Sequence, residues 1–504
     1  MRIKSAKQRF TDRSPWKYLF ISLLIVGLIA GCDQITGSDD NSNSSDDTDS
    51  DPNSNAANIS SFSASDEIIT EGETVTLSWE VSGDDPITLT LEPGSMDVSG
   101  ETSIEVSPEE DTTYQLNAEN EAGSDQSELS VSVIPEGVVA IEVEVNGLPA
   151  GMDANIAVTN NDDYMQWVSK NSALTELPPG SYTVAAGPVN ESGNTYIPNQ
   201  GVQTIDVAKA YKNKTFIQLN YSLSNESLYE IEPDVEACEE GAITELTKKR
   251  GLMYLNFIRS LLGVPPVGYD FGSDDMVQKA SLMMAANSDL SHSPPEDWHC
   301  YSESGADGAE TSNLAIDLRN NEINATPEQF MILWADDNRV PSLGHRRWLI
   351  DPFLSQVAVG LVEGTPIEGE FSDAAGSAVR VVGGPEANIN NLELPFVAYP
   401  RGDFPKELLT NNWFLSFSVL ANTGSRFGAN EQVDYSSTSI TVQNENGDEL
   451  SVTDVSVDHT AFGLPNSLQW KVPDLRDNER YTVTISNVIV NGESRDFSYE
   501  VQLQ

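Results

Sequence analysis

Seven residues in this chain could do chemistry that ordinary side chains cannot: Cys32, Cys238, Cys300, His292, His299, His345 and His459. Imidazole changes protonation near neutral pH, and its neutral form ligates metals. Beside a carboxylate it can hold a divalent ion or pass a proton. Several acids stand between His292 and His345 in sequence, and residue type alone singles out none of them. These two histidines are 53 residues apart with no His-Glu-x-x-His helix between them, so spacing alone does not fix a site. A serine nucleophile is the other chemistry to weigh, because Ser291 and Ser293 flank His292 and His299 precedes Cys300. Adjacent side chains rarely face each other, and no Gly-x-Ser-x-Gly elbow occurs in the chain. His299 and His459 read as structural.

The elements around these residues are helical, in contrast to the rest of the chain. Residues 240–262 place Leu246, Leu252, Tyr254, Leu255, Ile258 and Leu261 at spacings near three and four, closed by Gly263 and two prolines. A second helix is predicted over 274–290, its methionines serving as core filler. A third is predicted over 327–337, behind Thr326 as N-cap with proline at the first helical position. Apolar strands follow at 356–362 and 378–382. Helices beside a short sheet predict an α+β domain.

The order of motifs is Leu290-Ser-His-Ser-Pro-Pro295, Gly308-Ala-Glu-Thr-Ser-Asn-Leu-Ala315, Trp334-Ala-Asp-Asp-Asn338, then Leu343-Gly-His-Arg-Arg-Trp-Leu-Ile-Asp-Pro352. It resembles the CAP superfamily, the cysteine-rich secretory and pathogenesis-related fold, and in particular its bacterial branch, over about Glu239 to Val362. The resemblance implies an α-β-α sandwich in which two histidines and two acids converge on a cleft. It implies His292 and His345 as the histidines, able to hold a divalent metal such as zinc or magnesium. Glu310 and Asp337 are the acids implied, and the four residues together would be the catalytic set. Two departures stand out. The family usually has glutamate where Asp337 stands, with Asp336 equally reachable, and Thr311 and Ser312 separate Glu310 from Asn313.

Towards the N-terminus, residues 1–31 carry six Lys/Arg and one acid, then an apolar run from Tyr18 to Ala30. A basic segment before a short apolar run predicts a secretory signal rather than a spanning helix. Leu28-Ile-Ala-Gly-Cys32 resembles a bacterial lipobox, which implies a lipidated Cys32 and an anchor in the cell envelope, on its periplasmic or surface face. Residues 32–58, rich in Asp, Ser and Asn, read as a solvated acidic tether. With Cys32 lipidated, Cys238 and Cys300 are the two thiols left in an exported protein, and they are expected to pair.

Short alternating strands over 59–135 predict an antiparallel sandwich, in which Trp79 and Tyr114 resemble the buried tryptophan and tyrosine corner of an immunoglobulin-like domain. A second β module is predicted over 136–222. The CAP-like segment then spans 236–394. Residues 395–409, with three prolines, read as an extended linker into a C-terminal sandwich ending at 504. The expected fold class is therefore multidomain: an α+β CAP-like sandwich flanked by all-β immunoglobulin-like sandwiches.

Acids outnumber cations 79 to 27, a formal net charge of -52, which excludes nucleic acid as a natural partner. Two functions fit these residues. One is a membrane-anchored binding protein whose cleft takes a divalent metal and a small, lipid-like or cell-envelope ligand. The other is a metal-assisted, peptidase-like hydrolase with Glu310 as base. An inert surface module is the third and blandest reading.

Overall fold

A computed structural model describes residues 55–134, 139–160, 164–207, 214–321, 323, 325–338 and 340–504. The predicted signal segment, Cys32 and most of the predicted acidic tether lie outside the described residues. From Asn58 onward, period-two alternation sets the structure. In the strand Val75–Ser82, Val75, Leu77 and Trp79 turn inward and their neighbours outward. The first module stacks a three-stranded sheet on a five-stranded one. Trp79 and Tyr114 are both buried in its core, and the indole N–H of Trp79 donates to Glu101 O at 2.9 Å. The second module is likewise two sheets, of four and five strands. In the larger one, Val139–Asn146 and Lys214–Ser224 pair in parallel.

The helical segment contains α1 (Glu245–Leu261), α2 (Asp274–Asn287), α3 (Glu303–Glu310), α4 (Pro327–Asp336) and α5 (Gly344–Leu349). Local chemistry starts α1 and α4. Thr244 caps α1 by accepting from Thr247 N, and Thr326 with Gln329 forms a reciprocal capping box on α4, with Pro327 in the first turn. A four-stranded sheet lies among the helices, in the order Gly268–Tyr269, Gln356–Gly364, Asp373–Arg380, Ser312–Arg319. Its faces divide by alternation. Ala358 and Ala378 pack with Val277, Met283 and Met284 of α2 and with Ala309 of α3. Val359, Leu361 and Val379 pack with α1 and α4. The α-β-α layering expected for this segment is the one observed. Helix α2 lies unusually close to the sheet, since a Cβ on Gly360 would sit 2.3 Å from Val277 O.

The C-terminal module pairs two four-stranded sheets. Residues 395–409 are not a linker within it. Phe396–Tyr399 is a fully buried strand pairing with Leu415–Val419, and Gly402–Phe404 runs parallel to Glu493–Leu503. Pro395 and Pro400 flank the first strand rather than interrupt it, as proline must where a ladder needs its N–H groups. This module and the helical segment share one apolar core, in which Phe257, Trp334, Phe417 and Trp470 are all fully buried.

An ion pair and a disulfide fix the helical layers. Arg250 of α1 meets Glu328 of α4 in a two-point ion pair, at 2.7 and 2.8 Å, with both side chains buried. Cys238 and Cys300 form the expected disulfide, closing 62 residues and joining the approach to α1 to the loop that follows His292. In the chain-entropy picture such a closure stabilises the fold by about 4 kcal/mol.

Candidate functional site

Each predicted site residue owes its position to an element end. His292 sits in the turn after α2, Glu310 is the last residue of α3, Asp337 ends α4 in the left-handed conformation at φ 49°, and His345 is in the first turn of α5. His292, Glu310 and His345 line one cavity of about 460 Å³, within the usual range of small-molecule sites. Ser312 and Asn313 continue its polar side. Val340, Trp348, Val381 and Val382 supply apolar surface, joined by Ala461 and Phe462 from the C-terminal module. A smaller hollow of about 150 Å³ near the start of α1, lined by Glu240, Lys248, Asp274 and Asp275 among others, contains none of the four residues.

The two imidazoles are held alike. His292 Nδ1 lies 2.9 Å from Ala309 O, and a carbonyl only accepts, so Nδ1 carries the proton. His345 Nδ1 lies 2.9 Å from Asp337 Oδ1 and donates to the carboxylate. In both rings Nε2 is therefore the nitrogen left to the cleft, with its lone pair free to take a proton or a metal.

Asp337 is not part of the cleft lining. It is 2% exposed and stands behind His345, taking the ring N–H and, through Oδ2, the backbone N–H groups of His345 and Arg346 at 3.0 and 3.3 Å. The carboxylate thus caps the start of α5 and fixes the tautomer of its histidine. Asp336 is the acid that does neither. It accepts from Thr410 N at 2.8 Å and from the Thr410 hydroxyl at 2.5 Å, which commits it to the C-terminal module.

The two residues that separate Glu310 from Asn313 have a structural use. Thr311 closes α3, bonding back to Asp307 O, and its own carbonyl accepts from Val381 and Val382 N at 3.0 Å. The strand then begins at Ser312, and Asn313 still reaches α5, donating to His345 O at 3.0 Å. Ser312 is 4% exposed and no group among the described residues bonds its hydroxyl.

Ser312, Ala461 and Phe462 carry no sequence signal of a place in the cleft, and Arg346 and Arg347 stand out only as part of a family motif. Their guanidinium groups are fully buried docking points. Arg346 donates to Ala335 O, Asp336 O and Phe414 O, each at 2.7 Å, and its guanidinium lies 4.2 Å from the Tyr399 ring centre. Arg347 reaches Leu464, 117 residues further along the chain. Burial favours the uncharged form of both guanidinium groups, and nearby acids oppose it.

With the geometry in place, comparison with known proteins gives one family. Residues 252–371 match the family model described as CAP, the cysteine-rich secretory protein family. The helical segment is CAP-like. The match covers roughly a quarter of the chain and contains His292, Glu310, Asp337 and His345. A comparison with curated proteins finds no match. Solved structures that match include an I-band fragment of titin, at 12% identity and TM-score 0.14, covering 33% of this chain and 66% of that one. Immunoglobulin domains 1–5 of Sidekick-1 match at 13% identity and TM-score 0.14, covering 32% of this chain and 39% of that one. The insect immune protein hemolin matches at 11% identity and TM-score 0.15, covering 34% and 49%. At such TM-scores the sandwich description rests on the strand orders above.

Proposed function

We propose that the CAP-like cleft is a binding site for a small ligand and a divalent ion, presented outside the cytoplasm by a lipid-anchored protein. The observation that carries this reading is the matched pair of imidazoles. Two rings on different elements, each fixed through Nδ1, line the same cavity with Nε2 left to it. Among the described residues no group of three or more His, Cys, Asp or Glu side chains converges to hold a metal ion. The fit is therefore to a partial shell: His292 and His345 would hold the ion, and ligand or solvent oxygens would complete it. Imidazole donors suit zinc better than magnesium, which takes oxygen ligands. A bound zinc would supply a Lewis acid in the cleft. Glu310, exposed on the same wall, is the carboxylate placed to accept a proton or hydrogen bond from the ligand.

Anchoring belongs to the same proposal and rests on the lipobox-like Cys32 and the acidic tether. No helix among the described residues is long and apolar enough to cross a membrane. A Cys32→Ser variant should leave the membrane fraction, and its retention there would remove the anchor. The cleft itself is tested by calorimetric titration with zinc and magnesium, comparing the protein with the His292→Ala/His345→Ala double variant. One saturable zinc site that the double variant loses is expected. Equal binding by both proteins, or none by either, overturns the metal part of the proposal.

A further inference from the structure

One wall of the cleft comes from outside the CAP-like segment. The loop joining the strands Thr453–Asp458 and Ser467–Lys471 reaches across α5 and sets Ala461 and Phe462 into the cavity lining. Arg347 holds the loop at several points. It pairs with Asp458 at 3.2 Å, donates to Leu464 O at 2.7 Å and to Thr460 O, and its guanidinium lies 5.7 Å from the Phe462 ring centre. Gly463 makes the close approach possible, since at φ +64° a Cβ there would lie 2.6 Å from Arg347 O. A Cβ on Gly344 would meet the Phe462 ring at 3.5 Å, so the ring lies over the start of the helix that carries His345. The loop is fixed in place, yet Phe462 keeps 37% of its surface exposed.

The cavity is therefore two-sided. His292, Glu310, Ser312 and His345 make a polar side; Val340, Trp348 and Phe462 make an apolar one. The Ser312 hydroxyl, buried and unbonded among the described residues, asks for a polar group from a ligand. With no metal ion in the cleft, Glu310 and the net charge of -52 oppose an anionic group there. We infer that the C-terminal module completes the ligand site, with Phe462 as a specificity-determining residue for an uncharged amphiphile. Its hydroxyl-bearing head would meet Ser312 and the histidines, and its apolar body would lie against Phe462 and Trp348. This inference rests on the binding reading of the cleft and names the ligand class.

The test uses chelator-treated protein and two probes of equal chain length, octan-1-ol and octanoate, followed by Trp fluorescence and by NMR. Octan-1-ol should bind more tightly than octanoate. Phe462→Ala, which alters an exposed side chain, should weaken octan-1-ol about tenfold. Ala461→Trp, which fills the cavity from the same wall, should block the probe while leaving the melting temperature unchanged. Zinc binding measured on the same proteins reads the histidines separately. Unchanged octan-1-ol affinity in both wall variants overturns the inference, even where zinc binding is intact. So does a wild-type protein that ignores octan-1-ol or prefers octanoate. Octan-1-ol binding that obeys the wall variants in a protein that takes no zinc supports the wall and sinks the metal reading alone.

Discussion

Asp337→Asn isolates the contribution of one buried carboxylate to the cleft. The side chain holds α5 and His345 together through three hydrogen bonds, two from backbone N–H groups and one from the ring. Asparagine tolerates the left-handed backbone at this position, where φ is 49°, so the helix end should survive. Its amide oxygen, standing where Oδ2 does, can keep both backbone bonds. Its NH2 group would then face Nδ1, which can accept only if its proton moves to Nε2. The cleft-facing nitrogen becomes a donor and loses its lone pair. Replacing a charged acceptor by a neutral one should cost about 1–3 kcal/mol of stability, a modest fall in melting temperature. The expected loss of zinc affinity is about 10- to 100-fold, or about 1.4–2.7 kcal/mol, the usual effect of removing a group that orients a metal-binding histidine. Nitrogen-15 NMR of the imidazole reads the tautomer without any ligand, and calorimetry reads the affinity. A variant that keeps the proton on Nδ1 and binds zinc as the wild type does would refute the role assigned to Asp337.

Three further outcomes follow from the packing. Replacing both Cys238 and Cys300 by serine should lower stability by about 4 kcal/mol, with equilibrium denaturation as the measurement, and an unchanged midpoint would contradict the closed-loop argument. Glu328→Ala leaves Arg250 charged and buried between α1 and α4, and should destabilise by about 3–5 kcal/mol in the same assay. Burial raises the Asp351 carboxyl from 3.8 to about 6, although Arg426 lies 2.8 Å away and opposes the shift. The folded state therefore binds more protons than the unfolded one between those values, so this contribution is complete below about pH 4 and is lost as pH rises through about 6, by roughly 3 kcal/mol. Asp351→Asn should flatten that pH dependence, and an identical slope in the variant would dismiss Asp351 as its source.

Elements with a clear period were legible in the sequence. The helices at 245–261, 274–287 and 327–336 fall within or close to their expected spans. Helices α3 and α5, of 8 and 6 residues, are too short for periodicity to show, and they carry Glu310 and His345. The strand Ser312–Arg319 was hidden inside a stretch read only as a motif. Proline content misdirected the reading of 395–409, because prolines at the ends of a buried strand look the same in sequence as prolines in a linker. The grouping of His292, Glu310 and His345 came from a resemblance, since residues so far apart carry no local signal of meeting. The geometry adds that Asp337 acts through His345 instead of facing the cleft. Phe462 had no signal at all, because its place depends on Arg347 reaching a loop 117 residues downstream.

On the proposed function, two imidazoles, each fixed through Nδ1, act as one site. Nitrogen-15 NMR of the histidine rings during addition of one equivalent of zinc tests it most directly. The Nε2 signals of His292 and His345 should move together and saturate at one equivalent, while His299 and His459 stay still. A response from one ring alone, or from neither, would contradict the account.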